Sequence, residues 1–393
     1  MATNKYLVLT VLYLIHLLSV NFYFLLDIES LQKDIIFLFS IFILLLNIRF
    51  IKTFIKKEDK YIFLFAIYGI FSTCIMAYFN YGQTLTYSLL VTRLLIIIAV
   101  LFIALNFLLK NISLKALYKM AFFISIFVIF FAFYLYLSNN LSILYLDKTL
   151  FRLGTIRITI AHETLIVLIL FFYYHSKEKF ISYIPFIGLL LVLLFVDKTR
   201  GTLIAILIIL LLSSLNLKKS KNLIIWYMLF LFSILSFVLT DFESSIFQPL
   251  LDIYYATQEE VTGGKGNVNF RAIELAYFWD IINYPSIIFG YGMDNKAFKI
   301  LYYENFYLSD LGIFKVFYLH GIIGLLLFIG IYYQMYKQAS LAETSVHKTG
   351  KALVLFQLFA PSLNFTYHIE GMFMFFIIYI LIKNYNIRNN LNG

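Results

Sequence analysis

The feature that most constrains this chain is a series of uninterrupted apolar stretches. Each is close to the ~20 residues that a helix needs to cross the ~30 Å hydrocarbon core of a membrane. Of the 393 residues, 62% are hydrophobic and only 13% are charged, against about 25% in a soluble domain. A membrane β-barrel would instead show short segments of alternating polarity. The sequence therefore predicts an all-α polytopic membrane protein, in which residues 1–393 form a single integral membrane domain.

The apolar stretches predict about twelve transmembrane helices. Their predicted ranges are 6–26, 34–51, 61–79, 88–109, 118–138, 159–175, 180–196, 199–215, 222–240, 311–336, 352–367 and 371–383. The first stretch is longer than the apolar part of a signal peptide, and no cleavage site with small residues follows it. We therefore expect it to be a retained helix.

The distribution of charge predicts the orientation of these helices. If the N-terminus is inside, Lys5, the inner loops and the C-terminal tail from Lys383 together hold 19 of the 31 lysines and arginines but only four of the 21 acidic residues. The positive-inside rule then places both termini in the cytoplasm. The formal charge of +10 is thereby explained as a topology signal. The basic residues of the inner loops would contact membrane lipids. No nucleic-acid partner is predicted.

Residues 241–310 form one long segment between predicted helices, and on this orientation it is an outward-facing loop. Loops of this length are usually functional or disordered. The loop contains the polar sequence VTGGKGNVNFR and the more apolar FWDIINYPSIIFGYG, which begins just after Tyr277. We expect the apolar part to fold as amphipathic helices against the outer membrane face.

Several familiar motifs fail on inspection. The sequence HETLI begins like a zinc-protease helix at His162, but Ile166 stands where the second histidine ligand is needed. The GGKG at Gly263 lacks the spacing of a phosphate-binding loop. Cys74 is the single cysteine, which excludes an intramolecular disulfide and a cysteine metal cluster. The sequence therefore predicts no metal site and no cofactor.

Ionisable residues gather on the predicted outer side, in loops or at helix ends. They are Arg93, Arg152, Arg157, His162, Glu163, Arg200, Arg271, Asp310, His368 and Glu370. Ionisable groups at such positions are functional candidates by default, although a single arginine can also snorkel to lipid headgroups. The planar guanidinium of arginine suits bidentate contact with phosphate oxygens. Several arginines in an outward cavity therefore suggest a ligand that carries phosphate or pyrophosphate.

Two acids and two histidines within this pattern have alternative interpretations. Glu163 and Asp310 are the candidate bases, and the alternative for Glu163 is an ion pair with a nearby arginine. His16 and His320 lie inside predicted helices, where we expect them to pack rather than to catalyse. The sequence HGIIG, which begins at His320, predicts a face of small residues for close helix packing.

The order of the polar motifs carries a resemblance to a known family. The chain presents KTRGTLIAILIILLL, then NFRAIELAYFWDII, then NYPSIIFGYG, and last SDLGIFKVFYLHGIIGLLLFIGIYYQMYK. Over roughly residues 196–336, this order resembles the bacterial O-antigen and capsule polymerases (Wzy-type) and the O-antigen ligases. In that family an Arg–Gly opens a helix before a long periplasmic loop. An arginine then precedes a P…GxG segment, and a polar motif leads into a helix with GxxG.

One position separates the two branches of this family. Ligases carry a His–Asn pair about eleven residues before the first glycine of GxxG, and the corresponding residue here is Asp310. The acid favours a polymerase over a ligase. The resemblance then implies a C-type glycosyltransferase fold in the bacterial inner membrane, with the active site facing the periplasm. Its substrates would be undecaprenyl-pyrophosphate-linked oligosaccharides, and a chain-length regulator is a candidate further partner.

The resemblance also implies roles for the outer residues. Arg200 and Arg271 would hold the pyrophosphate, and Asp310 would orient or deprotonate the acceptor hydroxyl. The further candidates for binding the donor or the glycan are Arg93, Arg152, Arg157, His162, Glu163, Tyr277, Trp279 and Tyr291. The aromatic members of this set suit stacking on sugar faces or anchoring at the membrane interface equally well.

Three other functions stay open at this stage. An O-antigen ligase would use the same donor with the lipid A core as acceptor. A transporter or flippase of lipid-linked sugars would also suit many helices and a basic cavity, but the chain shows no internal repeat. A passive structural membrane protein would leave the outward arginines without a role.

Overall fold

The computed structural model describes the following parts of the chain: residues 57–110, 112–138, 151–152, 155–156, 162–197, 200–215, 284–293, 313–359 and 369–390, with single helical residues at 38, 41, 42 and 45. The predicted helices 6–26 and 222–240 lie outside these residues, as does nearly all of 34–51. The predicted loop 241–310 is described only at 284–293. Helices and strands are numbered below along the described residues.

The described residues are almost all helical. The helices are α1 (Lys60–Tyr81), α2 (Leu85–Val91), α3 (Arg93–Leu109), α4 (Leu114–Ser138), α5 (His162–Ser176), α6 (Tyr183–Leu191), α7 (Arg200–Leu215), α8 (Tyr284–Phe289), α9 (Ile313–Ala339), α10 (Ser345–Phe359) and α11 (Ile369–Asn390). Short 3₁₀ turns at Lys57–Asp59 and Phe180–Ser182 precede α1 and α6. The strands β1 (Phe151–Arg152) and β2 (Thr155–Ile156) form a two-stranded antiparallel pair.

Four stretches of the described residues are long and apolar enough to cross a membrane. They are Lys60–Tyr81, Leu114–Tyr134, Phe180–Asp197 and Ile313–Ala339. A fifth span results if α2 and α3, which are bent by 44° relative to each other, are counted together. The prediction of an α-helical membrane protein is thus confirmed, with four or five of its spans in the part of the chain that the structure describes.

Helices α5 and α11 form the buried centre of the bundle. Every residue in 164–174 of α5 and in 371–383 of α11 is buried. Helix α11 packs against α3, α5, α9 and α10. A helix that is apolar on every side is stable only when it is enclosed by apolar surroundings, and here other helices enclose it. By contrast, α1 exposes Leu64, Ile67 and Phe71 on one side.

One end of the bundle is tied together by polar side chains, and we call it the ion-pair end. Helix α1 begins there, and α3 and α11 end there. The Lys383 ammonium donates to the buried Asp59 carboxylate at 2.6 Å, and the Tyr379 hydroxyl donates to the same carboxylate at 3.3 Å. The Arg388 guanidinium donates to the backbone carbonyl of Lys110 at 2.7 Å. These contacts join helix ends that the charge distribution predicts to share one side of the membrane.

The opposite end of the bundle has irregular helix geometry, and we call it the irregular end. The bend between α2 and α3 falls there, at Thr92. Helix α6 continues into a π-helical segment, Val192–Asp197, and α9 contains a break at Gly321 with φ 64° and ψ −168°. Non-helical backbone at membrane depth persists only where protein or an aqueous cavity surrounds it, and π-helical turns are frequent at functional sites. We therefore expect a functional site at the irregular end.

Candidate functional site

Three polar side chains meet at the irregular end, where α5 and α7 begin. The Nδ1 atom of His162 lies 2.5 Å from the Asp197 carboxylate, and its Nε2 atom lies 2.8 Å from the Thr202 hydroxyl. Asp197 and Thr202 are fully buried, whereas the His162 side chain is 11% exposed. We call these residues the His162 cluster. Because the imidazole is bonded through both ring nitrogens, its orientation is fixed.

The local sequence explains how the cluster forms. The apolar run of α6 ends in the π-helical segment, whose last residue is Asp197. Three residues later Arg200 begins α7, and Thr202 follows in its first turn. A buried carboxylate is costly unless it is paired and hydrogen-bonded, so it needs the imidazole that α5 supplies at His162.

Arg200, which was predicted to hold pyrophosphate, is the first residue of α7. It stands two positions before Thr202, whose hydroxyl is bonded to His162. The hydrogen bond therefore brings the backbone of Arg200 close to His162, so that two residues predicted for the site come from neighbouring helix ends. The N-terminus of a helix also favours anions, because its first N–H groups have no partner within the helix.

Other predicted site residues also lie at the ends of elements. Arg93 is exposed and begins α3, immediately after the bend at Thr92. Arg152 ends strand β1 and pairs in register with Thr155. Arg157 follows strand β2 and lies outside the described residues.

Glu163 follows His162 in the first turn of α5, and its side chain is half-buried. The sequence suggested an ion pair with an arginine as the alternative to a role as a base. Glu163 forms no salt bridge with any residue that the structure describes. Both interpretations therefore stay predictions.

Tyr291 lies at a second polar contact of the irregular end, within the predicted loop. Its ring stacks on Tyr318 of α9, with a centroid distance of 5.1 Å and an interplanar angle of 1°. The Tyr81 hydroxyl lies 3.2 Å from the Tyr318 hydroxyl, and the Asn80 amide donates to the Tyr291 carbonyl at 3.1 Å. One face of the Tyr291 ring is thus covered by protein.

The segment that holds Tyr291 is seated on the break in α9. The Tyr291 N–H donates to the Tyr318 carbonyl at 2.7 Å, and the Gly292 N–H donates to the Leu319 carbonyl at 3.0 Å. A buried amide of Gln83, just after α1, donates to the Met293 carbonyl at 3.0 Å. The end of the apolar loop sequence therefore packs against α1 and α9, where the sequence had suggested helices on the membrane face.

Glycines make this close approach possible. Gly290, Gly292 and Gly321 all have positive φ angles of 64° to 87°, which other residues rarely adopt. A Cβ atom on Gly321 would collide with the Ile288 carbonyl, and one on Gly290 would collide with the backbone of Leu319. The GxG and GxxG motifs, which carried part of the resemblance, therefore meet in space.

His320 lies beside this contact and packs as predicted. Its ring is fully buried, its Nδ1 atom lies 3.3 Å from the Ser72 hydroxyl, and it meets Phe65 edge-on at 5.6 Å. The predicted small-residue face is also present at Gly324, which approaches Tyr68 of α1. Gly321, however, breaks the helix as well as allowing close contact.

Five predicted site residues lie outside the described residues: Arg157, Arg271, Asp310, Tyr277 and Trp279. Their roles remain predictions. No group of three or more histidine, cysteine or acidic residues suited to a metal ion occurs among the residues that the structure describes.

Asp197 and Thr202 belong to the cluster but were not predicted from the sequence. The signal for Asp197 was an acidic residue at the end of a long apolar run. Thr202 gave no such signal, since a threonine near the start of an apolar helix is unremarkable. Only the fold shows that the side chains of Asp197 and His162, 35 positions apart, form a pair.

Comparison with known proteins gives no match. No protein-family model matches the chain, and no curated protein is significantly similar to it.

Proposed function

We propose that the protein is a polysaccharide polymerase that joins undecaprenyl-pyrophosphate-linked repeat units at the outer face of the bacterial inner membrane. The product would be an O-antigen or a capsule chain. The observation that carries the proposal is the position of Arg200, which begins α7 beside the His162 cluster. The contact between the GxG segment and the GxxG helix supports it, because both motifs are shared with the polymerase family.

The proposed reaction is an inverting glycosyl transfer. A hydroxyl of the acceptor sugar attacks the anomeric carbon of the donor, and a new glycosidic C–O bond forms. The bond between that carbon and the pyrophosphate oxygen breaks, and its electron pair leaves with the lipid pyrophosphate. Asp310 takes the proton of the attacking hydroxyl.

Arginine suits the leaving group of this reaction. Negative charge increases on the pyrophosphate as the bond breaks, so fixed cations stabilise the transition state more than the ground state. In the proposal Arg200 and Arg271 supply these cations, and Arg93, Arg152 and Arg157 contribute to binding the donor or the glycan. The reaction would then proceed without a divalent metal ion.

The first experiment tests polymerisation directly. Purified full-length protein is mixed with lipid-pyrophosphate-linked repeat units and EDTA, and the products are separated as a ladder on a gel. Removing one preorganised charge from such a site lowers kcat by about 10²–10³-fold, so we expect Arg200→Ala and Arg271→Ala to abolish the visible ladder. Arg200→Lys should restore little activity, since lysine lacks the bidentate fork.

Arg388→Ala is the matched control for these variants. It removes an arginine that bonds a backbone carbonyl at the ion-pair end, so we expect its ladder to match that of the wild type. A wild-type protein that uses only lipid A core as acceptor would be a ligase. A folded protein that transfers no sugar to either acceptor would contradict both enzymes and favour transport.

A further inference from the structure

The His162 cluster joins three separate elements at one point. His162 begins α5, Asp197 ends the π-helical segment after α6, and Thr202 lies in the first turn of α7. The carboxylate and the hydroxyl contact opposite nitrogens of the imidazole, at 2.5 Å and 2.8 Å. The cluster therefore links α5 both to the end of the π-helical segment and to the start of α7.

Arg200 lies between Asp197 and Thr202 in the sequence, at the start of α7. Between Asp197 and Thr202 there are only four residues, and both of these ends are fully buried. The first turn of a helix lacks part of its internal hydrogen bonding and is prone to fraying. Because Asp197 and Thr202 are both bonded to the His162 imidazole, the backbone of Arg200 between them has little freedom to shift.

We infer that Asp197, His162 and Thr202 are positioning residues for Arg200. This inference rests on the proposed function, in which Arg200 stabilises the leaving pyrophosphate. Asp197 sets the orientation of the imidazole, much as a carboxylate orients a histidine in a hydrolytic triad. The imidazole then fixes Thr202 and, through it, the first turn of α7.

The energetic reason for such a device is the precision that transition-state stabilisation requires. A misplacement of about 1 Å in a positioning group costs about 10²-fold in rate. Fraying of the first turn of α7 would displace the backbone that carries Arg200. The two hydrogen bonds of the His162 cluster hold this turn in place.

The test uses conservative substitutions that remove or keep one polar group. Thr202→Val removes the hydroxyl, Thr202→Ser keeps it, and Asp197→Asn keeps the shape but removes the charge. Thr349→Val is the matched control, because Thr349 is a buried threonine whose hydroxyl donates to the Ser345 carbonyl at 2.8 Å in α10. Each protein is measured for kcat and KM with the lipid-linked repeat unit, and for thermal stability with and without inorganic pyrophosphate.

The inference predicts a particular pattern of rate constants. Thr202→Val lowers kcat about tenfold, the equivalent of one hydrogen bond, while KM changes by less than about threefold. Asp197→Asn lowers kcat about 10²-fold, because the imidazole loses its orientation. Thr202→Ser recovers most of the rate, and Thr349→Val keeps the wild-type kcat. If folded Thr202→Val and Asp197→Asn keep the wild-type kcat, the inference is overturned.

The pyrophosphate measurement separates this inference from the proposed function. If the wild type makes no polymer with any acceptor, the polymerase proposal fails. Stabilisation of the wild type by pyrophosphate, weakened about tenfold in apparent affinity by Thr202→Val but not by Thr202→Ser or Thr349→Val, would still support the positioning role. A wild type that pyrophosphate does not stabilise, or a Thr202→Val protein that binds it equally well, would overturn the role.

Discussion

The two ends of the helical bundle use polar residues in different ways. At the ion-pair end, the buried charges of Asp59 and Lys383 neutralise each other at 2.6 Å. Asp59 caps the start of α1 and Lys383 lies in α11, and both of these helices are continuous. At the irregular end, the backbone itself departs from the α-helix at Thr92, at Val192–Asp197 and at Gly321. There, Asp197 meets a histidine that is still partly accessible.

This difference indicates where a functional site is expected in a helical membrane protein. Paired charges at regular helix ends stabilise the bundle and leave little for a ligand to bind. Breaks and bends cost free energy, and they persist when the surrounding structure compensates for them. Arg200 and Arg93 both begin helices at these irregular positions. Substitutions at the ion-pair end should therefore lower stability, and substitutions at the His162 cluster should lower activity.

The largest effect is expected at the break in α9. Gly321→Ala adds a Cβ atom that collides with the Ile288 carbonyl in a conformation with positive φ. The two penalties together should cost about 3 kcal/mol or more of unfolding free energy. Thermal unfolding in detergent measures this loss.

Gly82→Ala separates the two penalties. Gly82 ends α1 with a similar φ of 65°, but nothing lies within 4 Å of an added Cβ atom. It should lose only about 1 kcal/mol, which reflects the backbone conformation alone. Equal losses at Gly82 and Gly321 would show that the contact with the GxG segment contributes nothing.

The second effect tests the ion-pair end. Lys383→Met leaves the buried Asp59 carboxylate without its ammonium partner, which should cost about 3 kcal/mol of unfolding free energy. The double variant Asp59→Leu with Lys383→Met should recover most of the lost stability, because no buried charge remains. The folded fraction of each variant should polymerise at the wild-type rate. A specific loss of kcat in the folded protein would contradict a purely structural role for this end.

The third effect compares two histidines of the irregular end. His320 is fully buried between Ser72 and Phe65, so His320→Gln should cost about 1–3 kcal/mol of stability and leave the turnover of the folded protein unchanged. His162→Gln should also cost stability, because the buried Asp197 carboxylate loses its imidazole partner, but in addition it should lower the kcat of the folded protein by about 10²-fold. The pair is measured by thermal unfolding and by the ladder assay. The opposite assignment of effects would make His162 the packing residue.

The smallest effect concerns the loop between α9 and α10. The Lys351 ammonium donates to the Glu343 carboxylate at 2.7 Å, and this contact lowers the pKa of that carboxyl below its usual value of 4.5. A lowered pKa in the folded state contributes stability above pH 4.5 that is lost as the pH falls through the lowered pKa. Because Glu343 is largely exposed, the contribution is only a few tenths of a kcal/mol.

Glu343→Gln checks the sign of this contribution. The variant should be slightly less stable than the wild type at pH 7, and the difference should shrink as the pH falls below the usual pKa of a glutamate. A difference that grows on acidification would contradict the assigned cause. The ladder assay should be unaffected at neutral pH.

The sequence predicts the regular helices well and the irregular backbone poorly. Helices α1 and α9 were predicted at 61–79 and 311–336, and they lie at Lys60–Tyr81 and Ile313–Ala339. Apolar length alone determines these spans. The break at Gly321 depends on hydrogen bonds from a segment about 30 residues earlier, so no local pattern could have placed it.

Polar helix ends were also misjudged from the sequence. Helix α10 was predicted at 352–367 but begins at Ser345, because the polar sequence SVHKTGK resembles a loop. Helix α11 was predicted to end at 383 and continues to Asn390. Both extensions are stabilised at the ion-pair end, where the His347 Nε2–H donates to the side-chain amide oxygen of Asn386 at 2.9 Å. Such contacts depend on the packing of distant helices.

The seating of Tyr291 and Gly292 on α9 has a consequence for how the protein is assembled. As synthesised, Ile313–Ala339 is apolar enough to enter the membrane as one continuous helix. The carbonyls of Tyr318 and Leu319 can accept bonds from the GxG segment only once that segment has arrived. We therefore expect the break at Gly321 to form late in biogenesis, after insertion, so that completion of the irregular end coincides with the last step of folding.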